Sequence, residues 1–323
     1  MSDTVTLALA GDTMLGRGVA EQLVRDGPYT TFAPEVRAVA AEADLFVLNL
    51  ECCISERGSP WPDPGKPFFF RAPPTAVDAL GSLGVDCVTL ANNHALDYGE
   101  EALLDTRDHL AEAGIEAVGA GADIAEARAA AILEAGGVRV GVIGVTDHPE
   151  DFAAAPGRPG VAHADLRDGV PAWLAEQIRE LRKITSVVLV TPHWGPNMVG
   201  EPVRHVRAAA PMLLEAGATL VAGHSAHVFQ AVAGPVLYDL GDFVDDYAIH
   251  PLLRNDLGLL FLVTADRHGP TRLEAVPLAL DYRHTRLVGE EHEWITDRFI
   301  GACRAAGTVA VKEGGRLVVE WPR

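Results

Sequence analysis

The sequence contains few aromatic residues, few basic residues and few cysteines. Aromatic side chains make up 6% of the 323 residues, so alanine, valine and leucine must form most of the core, as in many α/β enzymes. There are 45 acidic and 26 basic residues, which gives a formal net charge of −19. Because nucleic-acid binding requires lysine and arginine at the phosphates, this charge argues against a nucleic-acid partner. A polyanion would need a local basic patch, whereas a cationic peptide would be attracted.

The cysteines and the apolar runs bear on the cellular location. The four cysteines form no CxxC motif, and the adjacent pair Cys52 and Cys53 is poorly suited to an ordinary disulfide. A reducing compartment fits this pattern best. No apolar run reaches the length of a membrane span, and the first ten residues lack the basic and long apolar segments of a signal peptide. We therefore expect a cytoplasmic protein with no membrane partner.

The most informative stretch is a β-prone apolar run that ends in two amides and an imidazole. Val85 to Leu90 predicts a buried strand, and Gly99 to Gly114 has the apolar spacing of a helix. Polar side chains between a strand and the next helix lie at the carboxyl edge of a sheet, where open α/β folds build their sites. Asn93 and His94 are therefore candidate metal ligands or acid/base groups, and a helix cap with a turn is the alternative.

Other predicted strands end in the same way, and the residues at their ends form a set of candidate ligands. These residues are Asp12, Glu51, Asn93 with His94, His193, and His224 with His227. Carboxylate, amide and imidazole groups at successive strand ends would converge on one pocket, as a metal or acid/base site requires. Asp12 could instead cap the following helix. His148, after the strand predicted from Val138 to Val145, is interpreted as a loop residue, with a position facing the site as the alternative.

Seven short motifs, in order over about residues 5–280, resemble the CapA family, which is named for a protein of poly-γ-glutamate capsule synthesis. The motifs are Gly-Asp-Thr-Met-Leu-Gly-Arg, Asn-Leu-Glu, Phe-Arg-Ala-Pro-Pro, Ala-Asn-Asn-His-Ala-Leu-Asp-Tyr-Gly, His-Trp-Gly, Gly-His-Ser-Ala-His-Val and Leu-Gly-Asp-Phe. The family has the calcineurin-like metallophosphatase fold. The resemblance implies an α/β fold, a four-layer α/β/β/α sandwich of two mixed sheets. We expect a single domain over residues 1–323, with a C-terminal helix and hairpin appended at about 285–323.

The resemblance also implies roles for the strand-end residues around a dinuclear metal centre that activates water against a phosphoester. Asp12 and His227 would bind one metal and Glu51 would bridge, whereas the second metal would be held by Asn93, His193 and His224. His94 would act as the acid near the leaving group. The residues expected to contact the substrate are Arg17, Arg71, Asn93 and Trp194. The stretch from Lys66 to Arg71, with three phenylalanines between two cations, could line a binding groove or pack on the core.

This sequence departs from the phosphatase pattern at the metal-binding motifs. Met14 stands where those enzymes have the histidine of Asp-x-His, and methionine is a poor ligand for hard or borderline dications. Gly-His-Ser-Ala-His replaces Gly-His-His-Pro-His, and Leu-Gly-Asp-Phe replaces Leu-Gly-Asn-Phe. We therefore expect substoichiometric metal and no required cofactor, with a bound divalent Mn, Zn or Fe ion as the alternative.

With these departures and without an anchor, the chain resembles soluble CapA-like proteins that epimerise lasso peptides. Epimerisation needs two acid/base groups on opposite faces of a Cα atom. We predict a peptide epimerase that inverts one Cα centre of a ribosomally made lasso peptide. Asp12 would serve one face, and His94 or His292 the other, although His292 could also be a surface residue. The alternative function is a metal-dependent hydrolase of a phosphoester or a γ-glutamyl polymer.

Overall fold

Helices and strands alternate along most of the chain, so that helices come before or after the predicted strands in the sequence. The computed structural model describes residues 4–321. Its α-helices are α1 (Arg17–Asp26), α2 (Pro34–Ala40), α3 (Ala76–Ser82), α4 (Gly99–Glu112), α5 (Ile124–Ala127), α6 (Ala172–Ile184), α7 (Arg204–Ala216) and α8 (His292–Ala305). Within these residues, none of the helices has both the length and the apolar character that a membrane crossing requires.

The strands are short in the connecting regions and long at the centre of the molecule. They are β1 (Thr4–Thr13), β2 (Leu45–Leu50), β3 (Cys53–Ile54), β4 (Arg71–Ala72), β5 (Cys87–Thr89), β6 (Glu116–Val118), β7 (Ala120–Gly121), β8 (Ala131–Ala135), β9 (Val138–Thr146), β10 (Gly160–Val161), β11 (Val187–His193), β12 (Leu220–Ala222), β13 (Val232–Ala233), β14 (Val236–Leu237), β15 (Asp242–Val244), β16 (Leu257–Asp266), β17 (Gly269–Asp281), β18 (His284–Leu287), β19 (Ala310–Glu313) and β20 (Arg316–Glu320). The two largest groups of paired strands form two separate sheets.

Both large sheets are mixed. The first has the order β19-β20-β17-β16-β1-β2-β5-β6, with β15 beside β1 and β18 beside β17. In it, β1 runs parallel to β2 and β15 but antiparallel to β16. The second sheet has the order β13-β14-β12-β11-β9-β8. Its β8 and β9 form a hairpin that turns at Gly136-Gly137, and β9, β11 and β12 are parallel.

Three apolar cores separate the layers, because successive side chains of a strand point to opposite faces. Leu7 and Leu9 of β1 belong to a core shared with β9 and β11, so this core lies between the two sheets. Ala8 and Ala10 pack instead with side chains of α1, α2, α3 and α4. On the far side, Val190 and other residues of β11 pack with α6 and α7. The predicted four-layer α/β/β/α sandwich is therefore confirmed.

The C-terminal segment shares the central core. Ile295 and Phe299 of α8 belong to the core between the sheets, and β20 pairs antiparallel with β17, so the β19–β20 hairpin extends the first sheet. The assignment of one domain with an appended C-terminal segment stays a prediction.

Candidate metal and acid/base site

The structure brings five of the predicted ligand residues together at the carboxyl ends of the parallel strands. They are Asp12 on β1, Glu51 directly after β2, His193 at the end of β11, and His224 and His227 after β12, and all five are buried. The Asp12 carboxylate lies 3.5 Å from Nδ1 of His224 and 3.4 Å from Nδ1 of His227. Nε2 of His193 lies 4.0 Å from Oε1 of Glu51. These residues come from both sheets, so the cluster lies where the two sheets meet at their carboxyl edges.

A close backbone approach between two Gly-Asp pairs positions the first carboxylate. The amide of Asp12 donates a hydrogen bond of 2.9 Å to the carbonyl of Gly241, and Asp12 is paired in register with Asp242. A Cβ atom on Gly11 would overlap that carbonyl oxygen. Glycine at position 11 therefore allows β1 and β15 to approach closely, with both aspartates at the same level.

Four ligand residues lie close enough to share one cation. One ligand atom from each of Asp12, Glu51, His227 and Asp242 lies within 4.8 Å of the others. Burial raises the pKa of Glu51 and of Asp242, and the negative charge of Asp12 raises both further. Burial also raises the pKa of Asp12, but the nearby histidines outweigh this effect and hold it below its usual range. Buried carboxylates at this density require bound protons or a cation to balance their charge.

Several buried polar atoms around this group have no hydrogen-bond partner within residues 4–321. They are Oε1 of Glu51, Oδ1 of Asn93, Nδ1 of His193, Nδ1 of His224 and Oδ2 of Asp242. Buried polar atoms in native proteins nearly always have a partner, so a group of unpartnered nitrogen and oxygen atoms calls for an explanation such as an ion. Carboxylate, amide and imidazole donors are suitable ligands for divalent Mn, Fe or Zn. The residues present therefore fit a divalent metal ion, held by the group of Asp12, Glu51, His227 and Asp242.

His94 is held by a buried carboxylate beside this group. Its Nδ1 lies 2.7 Å from Oδ2 of Asp97, and Nζ of Lys66 lies 2.9 Å from the other oxygen of Asp97. The ring of Phe70 stacks on His94 with centroids 4.0 Å apart. Burial lowers the pKa of His94, and Asp97 opposes that effect. Because Nδ1 is engaged, Nε2 is the ring atom available for proton transfer.

A cleft of about 460 Å³ opens onto the cluster. Its lining includes His94, His227 and Arg17, together with an apolar side formed by residues such as Ile249 and Phe68, the latter 54% exposed. The stretch from Lys66 to Arg71 therefore does both things that the sequence left open: Phe68 lines the cleft, whereas Phe70 is buried in the helix-side core of the first sheet.

Arg17 connects this cleft to a second one. The second cleft, of about 550 Å³, is lined by Arg17, Arg71, Phe69 and Tyr98 among others. The guanidinium of Arg71 lies 4.1 Å from the centroid of the Tyr98 ring, and Nη2 of Arg17 lies 3.3 Å from Oδ1 of Asp246. Two of the predicted substrate-binding residues thus border adjoining clefts, and their role stays a prediction.

Trp194 has a packing role that differs from the predicted contact with substrate. Its side chain is buried, donates from Nε1 to the carbonyl of Tyr238 at 2.9 Å, and packs in the helix-side core of the second sheet. The indole is therefore part of the core. Met14 is likewise buried in a helix-side core, and its Sδ accepts the amide hydrogen of Gly16 at 3.1 Å.

His292 lies away from the cluster, contrary to its predicted role as a second acid/base group. Its Nε2 is 2.9 Å from the carbonyl of Gly315 at the β19–β20 turn, and Thr296 contacts its other ring nitrogen. In the first sheet, β17 and β16 lie between β20 and β1. Three strand spacings correspond to roughly 14 Å, so the hairpin keeps this histidine remote from Asp12.

One residue at the site was missed as a functional candidate, and another was mainly interpreted as a loop residue. Asp242 belongs to the group of four candidate ligands, although its motif was noted only as a departure from the family pattern. It is the first residue of β15, so the rule that ligands follow strand ends does not identify it. The ring of His148 lies 5.3 Å from that of His193, and its Nδ1 is 2.5 Å from Oδ1 of Asp147. His148 stands just after the end of β9, so the strand-end rule does apply to it.

Comparisons with known proteins identify the family. A "probable polyglutamine synthesis accessory protein" of Mycobacterium tuberculosis is 32% identical, with 98% of this chain and 96% of that protein covered. The "PGA biosynthesis protein CapA" of Bacillus subtilis is 28% identical over 85% of this chain and 72% of its own length. The "capsule biosynthesis protein CapA" of Bacillus anthracis is 29% identical, covering 76% and 61%. With residues 6–247 matched by the family model, the chain belongs to the bacterial capsule synthesis protein family PGA_cap.

Proposed function

We propose that this protein is a metal-dependent hydrolase that cleaves an anionic polymer of the γ-glutamyl type. The observation that carries the proposal is the group of unpartnered nitrogen and oxygen atoms beside the crowded carboxylates of Asp12, Glu51 and Asp242. Asp12 and His227 would hold one cation, Glu51 would lie between two, and the second would be held by Asn93, His193 and His224. A bound pair of dications supplies Lewis-acid activation of water and stabilises developing negative charge. The donor set thus favours the metal-bound alternative over the expectation that no metal is required.

His94 is suited to deliver a proton to the leaving group. It borders the cleft, and Asp97 holds its Nδ1, so the free Nε2 faces the space where substrate binds. Lys66 and the amide of Phe70 also bond to Asp97, so its carboxylate keeps a fixed orientation. For an amide bond the proton would go to the departing nitrogen, and for a phosphoester to the departing oxygen.

The two adjoining clefts support an extended anionic substrate. Arg17 borders both clefts and is paired with Asp246, whereas Arg71 borders the second cleft beside Glu21 and forms no salt bridge within residues 4–321, so Arg71 provides the main local positive charge on a chain of net charge −19. Without such a charge, a polyanion would be repelled. The two Bacillus relatives are named for PGA and capsule biosynthesis, which agrees with a polymer rich in carboxylates, whereas the relative from Mycobacterium tuberculosis is named for polyglutamine, whose side chains are uncharged amides.

The direct test compares two substrates with and without metal. Chelator-treated protein is reloaded with Mn²⁺ and incubated with poly-γ-glutamate or with p-nitrophenyl phosphate. We expect poly-γ-glutamate to become shorter, measured by size-exclusion chromatography and by new amino ends, only in the reloaded sample. Cleavage of the phosphoester alone would change the substrate class but keep the hydrolase. If the protein binds two dications and cleaves neither compound, the proposal is wrong.

We expect His94→Gln to lower turnover by about 10²–10⁴-fold, the usual contribution of a positioned acid/base group. Metal content should stay at the wild-type level, because the imidazole is bonded to Asp97 and belongs to the proton-transfer side of the site. Turnover and elemental analysis are measured on the same preparation. The matched control is His109→Gln on α4, which should retain wild-type turnover. A His94→Gln variant with full activity would remove this residue from the mechanism.

Peptide epimerisation is the second candidate function. It is favoured by one observation: two histidines at the site, His94 and His148, are each held by a buried aspartate and follow strands of different sheets. The relatives are named for capsule and polymer synthesis, so the hydrolase fits better. Incubation with a lasso precursor peptide in D₂O separates the two candidates, since only an epimerase introduces deuterium at one Cα atom with inversion.

A further inference from the structure

Met14 occupies the position at which the phosphatase motif has a metal-binding histidine, so one metal position lacks that imidazole. Its side chain is buried in the core between the first sheet and its helices, and its sulfur already accepts the amide hydrogen of Gly16. Thioether sulfur is also a poor ligand for hard or borderline dications. If no other residue replaced this imidazole, Asp12, Glu51 and His227 would have to hold the first cation without a fourth protein ligand.

Asp242 lies where a replacement ligand is needed. It is paired with Asp12 across β1 and β15, and its side chain is one of the four whose ligand atoms lie within 4.8 Å of one another. Oδ1 of Asp242 is 2.7 Å from Nδ1 of His227. Oδ2 is buried and has no hydrogen-bond partner among the described residues. One oxygen can therefore orient His227 while the other is free to bind an ion.

The alternative explanation for Asp242 is that it only orients His227. A carboxylate in that role usually needs one engaged oxygen, and its other oxygen is solvated or bonded to the protein. Here the second oxygen is neither solvated nor bonded to a protein donor: the residue is 2% exposed, and the carboxyl group that it contacts, that of Asp245, also has a buried Oδ2 without a hydrogen-bond partner within residues 4–321. Asp239, the neighbouring buried carboxylate, shows the contrast. Its two oxygens accept the amide hydrogens of Ala226 and Gly241, so it is fully satisfied by the backbone.

We propose that Asp242 is a metal ligand that replaces the missing imidazole and that it shifts the preference of the first metal position toward Mn²⁺. The proposal rests on the metal pair of the proposed function. With Asp242 included, the position offers three carboxylates and a single imidazole. Carboxylate oxygen suits Mn²⁺, whereas imidazole and thiolate favour Zn²⁺, so exchanging an imidazole for a carboxylate shifts the preference. The three negative charges also attract a dication more strongly than two would.

The test measures metal binding without reference to activity. Full-length protein freed of metal is titrated with Mn²⁺ and separately with Zn²⁺ by calorimetry, and bound metal is counted by elemental analysis. We expect two Mn²⁺ ions in the wild type and one in Asp242→Ala, with affinity at the lost position reduced by at least about 100-fold. Asp242→Asn, which keeps a neutral oxygen, should be intermediate. Asp86→Asn is the matched control: it removes a half-buried charge just before β5, and the asparagine oxygen can still accept the amide hydrogen of Phe46, so it should retain two ions.

The outcomes separate this inference from the proposed function. Two Mn²⁺ ions bound by Asp242→Ala with unchanged affinity would overturn the role of Asp242 and leave the hydrolase intact. A wild-type protein that binds no dication would overturn both.

If Asp242→Ala fails to fold, crystals of the wild type soaked in Mn²⁺ decide whether Asp242 is a ligand. An Asp242 oxygen within about 2.0–2.6 Å of an ion supports the inference, and a coordination shell without Asp242 contradicts it. If the ratio of Zn²⁺ to Mn²⁺ affinity at this position does not rise in Asp242→His, the shift in preference is contradicted.

Discussion

Asp12→Ala is expected to lower turnover by about 10⁴-fold or more and to release metal. Both oxygens of Asp12 are engaged: Oδ1 accepts a hydrogen bond of 2.7 Å from Asn49, and Oδ2 accepts one of 3.3 Å from the amide of Ser225. The same carboxylate lies beside His224 and His227. Its loss therefore removes a ligand and also frees β2 and the loop after β12 from their common anchor. Losses of this size are typical when a metal or acid/base residue is removed.

The variant is tested by turnover and metal content measured on one preparation, with the circular dichroism spectrum as a check on folding. Asp12→Asn separates the two effects, because the amide oxygen can keep the hydrogen bond from Asn49 while the negative charge is lost. His292→Ala is the matched control and should retain wild-type turnover, since that side chain bonds to the C-terminal hairpin. Wild-type turnover in Asp12→Ala would contradict the assignment of the site.

Gly11→Ala is expected to be the most destabilising small substitution at the site, costing about 3 kcal/mol or more of the free energy of unfolding. The added methyl group would overlap the carbonyl oxygen of Gly241, and because that atom is backbone it cannot rotate away. The strands must separate, so the hydrogen bond from the Asp12 amide to Gly241 lengthens and Asp12 moves relative to Asp242. The midpoint of thermal unfolding should fall by roughly 4 °C or more for a chain of 323 residues.

Gly81→Ala is the control for Gly11→Ala. Gly81 lies in α3, and a Cβ atom there would have no heavy atom within 4 Å. Alanine is a better helix former than glycine, so this change should raise the free energy of unfolding by up to about 1 kcal/mol. Thermal unfolding of both variants is followed in parallel, with metal content measured for Gly11→Ala. If Gly11→Ala unfolds at the wild-type temperature, the close approach of β1 to Gly241 is not needed for stability.

The sequence by itself determined the elements and their polar ends. The apolar spacing from Arg204 to Ala216 predicts a helix with the bounds that the structure has, and Gly217, with φ of 119°, ends it in the left-handed region. Gly136-Gly137 between two apolar runs likewise predicts the β8–β9 hairpin. The polar residues at the ends of β1, β2 and β11 were correctly expected there, since the apolar runs stop where the chain leaves the core.

Only the tertiary structure decided which of those polar residues meet. Trp194 and His193 are adjacent in sequence, yet the imidazole lies in the cluster and the indole in a helix-side core. His292 was a candidate acid/base group because it begins a predicted helix. Its side chain bonds to the β19–β20 hairpin, however, and that hairpin lies at the opposite end of the first sheet from β5. Asp242 joins the cluster through a three-residue strand paired with β1 across some 230 residues of chain. Strand periodicity specifies a residue's face and end, whereas contacts between distant strands depend on sheet order and close backbone approaches such as that at Gly11.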